Sequence, residues 1–270
     1  MDCGENNQPM NSALFAVVLL ILTSSAVARN TVWSDDLHLW KDTAAKSPRK
    51  ARTHVSLGSA LYVLKETDKA MEEYREALRL KPDYVEAEHN LGVAYDIKGM
   101  TDEAIEHYRA AIRLNPEFAA AYYYLGLAYE TKKMTDKAVK HYQVALMLKP
   151  DYAEAHMHLG LINKAGGRLD AAISEYQTAI RLMPDRAEMY NNLGNALDDK
   201  GMVDQAIEQY QHALRLKPDY AEARYNLGLV YESKRSIIEA AEQYRYALQA
   251  RPDFIAARTR LEALAFRSSP

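Results

Sequence analysis

Seven prolines, Pro48, Pro82, Pro116, Pro150, Pro184, Pro218 and Pro252, stand 34 residues apart without a slip, and only Pro9 and Pro270 lie outside the series. A fixed period of that size builds a stack, because each unit is too small to bury its own apolar face and must cover it with a neighbour. Proline cannot continue a helix and disfavours helical geometry in the residue before it, so each proline marks a helix end.

With Ala51 as position 1 and each proline as position 32, the units fall into register. Position 7 is Leu57, Leu91, Leu125, Leu159, Leu193 and Leu227. Position 8 is Gly58, Gly92, Gly126, Gly160, Gly194 and Gly228, and position 24 is Tyr74, Tyr108, Tyr142, Tyr176, Tyr210 and Tyr244. Positions 20 and 27 are alanine in every unit, beginning with Ala70 and Ala77. Small residues at 8, 20 and 27 let helices approach closely, and the leucines and tyrosines fill the remaining space. This pattern resembles the tetratricopeptide repeat, in six copies over 51–84, 85–118, 119–152, 153–186, 187–220 and 221–254.

Each unit reads as a helix, a tight turn and an antiparallel helix. Gly99, Gly167 and Gly201 occupy position 15, where a left-handed residue closes the first helix. The pairs Asp83 and Glu86, Asp151 and Glu154, Asp185 and Glu188, Asp219 and Glu222 read as capping boxes that start the next helix. Residues 255–270 continue the first-helix pattern with Leu261 at position 7, but carry Glu262 in place of the glycine, as a polar-edged closing helix would. The expected fold is all-α: an α-solenoid of six helix-turn-helix units over 51–254, a capping half-repeat within 29–50, a C-terminal capping helix and one N-terminal apolar helix.

That apolar helix is the expectation for residues 13–28, which follow a polar stretch at 1–12. The run carries no charge and, with Asn11 and Ser12, reaches the lower edge of the length that spans a bilayer. Ala26-Val27-Ala28 also has the form of a leader-peptidase site, so the segment is either a membrane anchor or a cleaved signal. Arg29, Lys41, Lys46, Arg49 and Lys50 follow it and no base precedes it, which argues for a cytoplasmic stack. The A-x-A motif argues for the opposite side, and the reading taken here is extracytoplasmic, periplasmic or lumenal. Trp33 and Trp40, the only tryptophans, are candidates for the membrane interface, against a competing role in core packing of the half-repeat.

The junction itself, Arg29-Asn30, Trp33, Leu39-Trp40, Ser47-Pro48, His54 and Leu57-Gly58, resembles the membrane-to-repeat boundary of transmembrane TPR-containing O-mannosyltransferases. The resemblance covers about residues 12–58 and lacks that family's multi-pass region and acidic loops. It implies an alternative role as an accessory portion, or fragment, of a membrane protein O-glycosyltransferase that presents acceptor protein.

On the first helix of each unit, positions 4, 7, 8 and 11 face the second helix while 2, 5, 6, 9 and 13 face away, toward the expected concave groove. The second set includes His89 and Asn90; Tyr123 and Tyr124; His158; Asn191, Asn192 and Asn195; Tyr225 and Asn226. Asn90, Asn192 and Asn226 share position 6. Amides in register each offer a donor and an acceptor to one peptide group of an extended chain. This resembles the asparagine ladder of the O-GlcNAc transferase superhelix, interrupted here by Tyr124 and His158. Arg52 is the only base on that face, so the expected partner is a neutral-to-basic extended polypeptide with apolar side chains, without a carboxylate-clamp ligand.

Formal net charge is -3 with no basic stripe, which argues against nucleic acid. Phosphate loops, dinucleotide fingerprints and zinc-protease motifs are missing, so no catalytic residues, cofactor or small-molecule substrate are expected. His156 and His158 are two apart on a helix and diverge, so no metal site is expected. The lone Cys3 excludes an internal disulfide. The chain reads as a non-catalytic, membrane-tethered scaffold for protein binding.

Overall fold

The contact that sets the spacing of every hairpin is glycine against tyrosine. A Cβ placed on the position-8 glycines would lie 2.5–2.7 Å from the Cε1 atom of the position-24 tyrosine of the same hairpin, as in Gly126 against Tyr142 and Gly194 against Tyr210. The tyrosine ring therefore lies on bare backbone. Tyr108, Tyr142, Tyr176, Tyr210 and Tyr244 are fully buried, each removing an aromatic side chain from water for about 2–3 kcal/mol.

The structure, a computed structural model, describes residues 37–267. They form two units, one ending at Pro116 and one beginning at Glu117. The first contains α1 (37–46), then the hairpins α2 (Ala51–Val63) with α3 (Thr67–Leu80) and α4 (Val85–Ile97) with α5 (Thr101–Leu114). The second contains four hairpins and the closing helix. These are α6 (Ala119–Thr131) with α7 (Thr135–Leu148), α8 (Ala153–Ala165) with α9 (Leu169–Leu182), α10 (Ala187–Asp199) with α11 (Val203–Leu216), α12 (Ala221–Ser233) with α13 (Ile237–Ala250), and α14 (Ile255–Arg267). No strand occurs among the described residues. The helical hairpins and the closing helix stand where the period puts them.

The turn within each hairpin has one residue in the left-handed region. Gly99, Gly167 and Gly201 take φ of 73°, 71° and 79°, but Lys65, Lys133 and Arg235 adopt φ of 62°, 57° and 62° without glycine's freedom. Paired backbone bonds hold the conformation in both cases. In one, the Met100 amide donates to Tyr95 (3.0 Å) and the Gly99 amide to Asp96 (2.9 Å); in the other, Met134 donates to Tyr129 and Lys133 to Glu130, both at 2.8 Å. Packing of the two helices thus imposes a turn that the side chain alone disfavours.

The helix starts differ from expectation. Helices α4, α8, α10 and α12 begin after Tyr84, Tyr152, Arg186 and Tyr220, with no side-chain cap hydrogen bond. Asp83, Asp151, Asp185 and Asp219 lie one residue too early, so the proposed capping boxes do not form. In α2, α8, α10, α12 and α14 a donor inside the helix does the joining. Position 4 reaches back to the proline carbonyl six residues earlier, from His54 (Nε2, 3.1 Å), His156 (Nε2, 3.1 Å), Tyr190 (hydroxyl, 3.0 Å), Arg224 (Nη2, 3.3 Å) and Arg258 (Nη2, 2.6 Å).

In the first unit Trp40 packs with Leu37 against a core of Ala44, Leu57, Leu61, Met71, Tyr74 and Leu91. Its partly buried indole packs in the capping half-repeat, the competing role named for it in the sequence. Trp33 and the apolar run 13–28 lie outside the described residues. No described helix is long and apolar enough to cross a membrane.

Candidate peptide-binding face

The first helices carry the candidate face, and each unit is taken separately. In the first, Asn90 on α4 is half-buried and has no hydrogen-bond partner among the described residues. His89 beside it lies 5.8 Å from the Tyr108 ring, and burial pushes its imidazole down to about 4, so it is neutral at pH 7.

In the second unit the aromatic part of the face is partly core. Tyr123 is 8% exposed, stacked on Tyr152 at 4.7 Å and edge-on to Tyr124 at 5.2 Å. Its ring is used in packing and is not open to the groove, a correction to its expected place there. Tyr124 is half-buried, and burial raises its hydroxyl pKa, with the Glu154 charge adding to the effect. His158 sits between two hairpins. Its Nδ1 is 3.1 Å from Glu130 Oε2, its ring stacks on Tyr142 at 5.4 Å, and the Tyr142 hydroxyl donates to the same carboxylate at 2.7 Å. The His158 hydrogen bond holds the Glu130 carboxyl below its usual range, with the Tyr142 hydroxyl assisting and burial opposing.

The amide part is also largely spoken for. Asn226 Nδ2 donates to Asn191 Oδ1 (3.0 Å) and to Asn195 Oδ1 (2.9 Å), which accepts a second hydrogen bond from the Tyr210 hydroxyl at 2.8 Å. Asn191 is buried. One expected ladder amide, Asn226, and the two groove amides Asn191 and Asn195 therefore tie α10 to α12, because a buried amide oxygen left without a donor costs about 1–3 kcal/mol. Asn192 is the exception: half-buried on α10, with no hydrogen-bond partner among the described residues. Tyr225 is half-buried between Phe254 (5.0 Å) and Tyr244 (5.8 Å). Asn90 and Asn192 thus keep side-chain amides without a hydrogen-bond partner among the described residues.

Several histidines are used in structure. His54 and His156 each place Nδ1 2.6 Å from a glutamate, Glu73 and Glu175, and His107 does the same with Glu88. His107 stacks on Tyr95 and His141 on Tyr129, so neither is simply solvated. Among the described residues no group of three or more acidic, histidine or cysteine side chains is arranged for a metal ion.

One set of residues went unremarked in the sequence. Between α7 and α8 a pocket of about 1000 Å³ is lined by Glu130, Asp136, Val139, Lys140, Leu161 and Ala165, with Gly166 and Arg168 at its rim. The readable signal was position 14, lysine at Lys98, Lys132, Lys200 and Lys234 but glycine at Gly166.

A TPR repeat family model matches residues 58–96, 97–133, 162–201 and 195–234, and tetratricopeptide repeat models match 119–152 and 221–254. The chain belongs to the tetratricopeptide repeat family. No curated protein matches it. Among solved structures, the APC/C hetero-tetramer Cut9–Hcn1 is similar with a TM-score of 0.74 at 23% identity, over 85% of this chain and 46% of that one. This chain thus spans under half the length of that relative. YrrB, a TPR protein with an unusual peptide-binding site, gives 0.59 at 24% identity, over 70% of this chain and 97% of its own. MamA gives 0.54 at 30% identity, over 62% and 97% respectively. The family models begin at Gly58, so the O-mannosyltransferase-like reading of the junction gains no support from them.

Proposed function

We propose that this chain is a non-catalytic scaffold that holds an extended segment of a partner protein along the outward side of its first helices. The family is one of interaction repeats, and the observation that carries the reading is Asn192. Its amide stands half-buried, with no partner among the described residues, beside a cluster whose other amides are bonded to one another. A half-desolvated amide offers a donor and an acceptor to a peptide group at little further desolvation cost. Asn90 offers the same in the first unit, and Tyr124 and Tyr225 add aromatic surface for apolar side chains. That YrrB, with the same fold, has a peptide-binding site is consistent with this assignment.

The test is capture of a random nonapeptide library by the full chain and by Asn90→Ala with Asn192→Ala. Retention should fall about tenfold in the double variant while the melting temperature stays within 2 °C, since neither amide is bonded within the fold. Undiminished retention would remove the amides from the role. The proposal extends to a membrane tether supplied by residues 13–28, with the repeats on the extracytoplasmic side. N-terminal sequencing of the mature protein, combined with protease accessibility in intact cells, decides it: a cleaved N-terminus or a protected repeat domain overturns this part.

A further inference from the structure

Neighbouring hairpins are clipped together at their turn edges by one repeated ion pair. Lys98 of the second hairpin reaches Asp68 of the first, Lys200 of the fifth reaches Asp170 of the fourth, and Lys234 of the sixth reaches Asp204 of the fifth at 2.6 Å. In each case position 14 supplies the ammonium and position 18 of the preceding hairpin the carboxylate, 30 residues away. Between the third and fourth hairpins the acceptor is present as Asp136, but position 14 is Gly166. Asp136 has no ion-pair partner among the described residues. The space where the lysine would lie is the pocket of about 1000 Å³ between α7 and α8.

We infer that this pocket receives a lysine side chain from a partner polypeptide, which completes in trans the clip that Lys98, Lys200 and Lys234 make in cis. The lining matches that occupant. Val139, Leu161, Ile162 and Ala165 offer apolar surface to a four-carbon stem, and Asp136 offers charge to the ammonium. The chain's own bases do not take the place. Lys140, one turn along α7 from Asp136, forms no ion pair with it. The Arg168 guanidinium lies over Gly166 but donates through Nε to Asn163 Oδ1 at 2.9 Å and does not pair with Asp136. The proposal is independent of the amide face, because neither Asn90 nor Asn192 lines the pocket.

Three nonapeptide pools with random flanks and a fixed central lysine, norleucine or glutamate test it on the full chain. The lysine pool should be retained about fivefold better than the norleucine pool, the scale of one exposed ion pair. Asp136→Asn should abolish that preference. So should Gly166→Lys, which restores the internal clip; a Cβ at 166 meets only the mobile end of Arg168, so the variant folds. Asn192→Ala should leave the preference intact. Equal retention of the three pools, a preference for glutamate through Lys140 and Arg168, or a lysine preference that survives Gly166→Lys would each overturn the inference. Loss of all retention on Asn192→Ala with no lysine preference in the wild type would support the amide-face reading alone.

Discussion

The seam between the third and fourth hairpins and the seam between the fifth and sixth share one backbone register and differ in how they close. At the fifth-to-sixth seam Lys234 pairs with Asp204, and Asn191, Asn195, Asn226 and Tyr210 form a neutral hydrogen-bonded set. At the third-to-fourth seam the lysine is a glycine, and the set is Glu130, Tyr142 and His158, which carries titratable charge. One seam is closed at its edge by an ion pair over a neutral amide set, while the other is open at its edge and holds a carboxylate in its hydrogen-bonded set. The repeat fixes where the helices go, and positions 6, 9, 12 and 14 decide what each junction can do.

The largest effect tests what the two seams have in common. Gly126→Ala and Gly194→Ala each drive a Cβ into a buried tyrosine ring at 2.6 Å, so each should cost about 3 kcal/mol in urea denaturation, and by equal amounts. A marked inequality would show that the open seam lets the third hairpin relax.

The tyrosine hydroxyls come next. Tyr210→Phe and Tyr142→Phe each remove a donor from a part-buried acceptor and should cost about 1 kcal/mol. Tyr176→Phe should be neutral or stabilising by up to about 1 kcal/mol, because that hydroxyl is buried without a partner among the described residues. Its hairpin has Leu161 and Lys164 at positions 9 and 12, and Lys164 is drawn to Asp199 at 2.6 Å. A cost for Tyr176→Phe equal to that of Tyr210→Phe would break this distinction.

The smallest effect is the response to acid. The folded value of Glu130 lies below its ordinary 4.5, so its contribution is fully present above pH 4.5 and is lost as pH falls through the lowered folded value. Melting curves from pH 7 to 3 should show the wild type losing ground to Glu130→Gln only below pH 4.5. Parallel curves would mean that the charged seam behaves like the amide one.

Most of the architecture was legible because it rests on residues that repeat without substitution. A glycine at position 8 and a tyrosine at 24 are one contact, and proline at 32 ends one helix. The helix starts were misread because aspartate three residues before glutamate has the form of a capping box whether or not the backbone enters the helix there. The donors that hold these starts are histidine, tyrosine and arginine at position 4, alike in reach and unlike in name, so no column of identical letters reveals them. The site was less legible for a related reason. Asn192 and Asn226 stand in the same column, but Asn226 has Asn191 and Asn195 within reach, and periodicity does not report a neighbour. Gly166 was visible as a departure, but its meaning waited on seeing where the other lysines go.

Each tyrosine presses on the glycine of its own hairpin and on no other. The instruction for closing a hairpin is therefore carried whole within one period of the gene. Copying or excising a stretch of 34 codons would add or remove a finished part, and the array could change length without any residue elsewhere having to be rewritten.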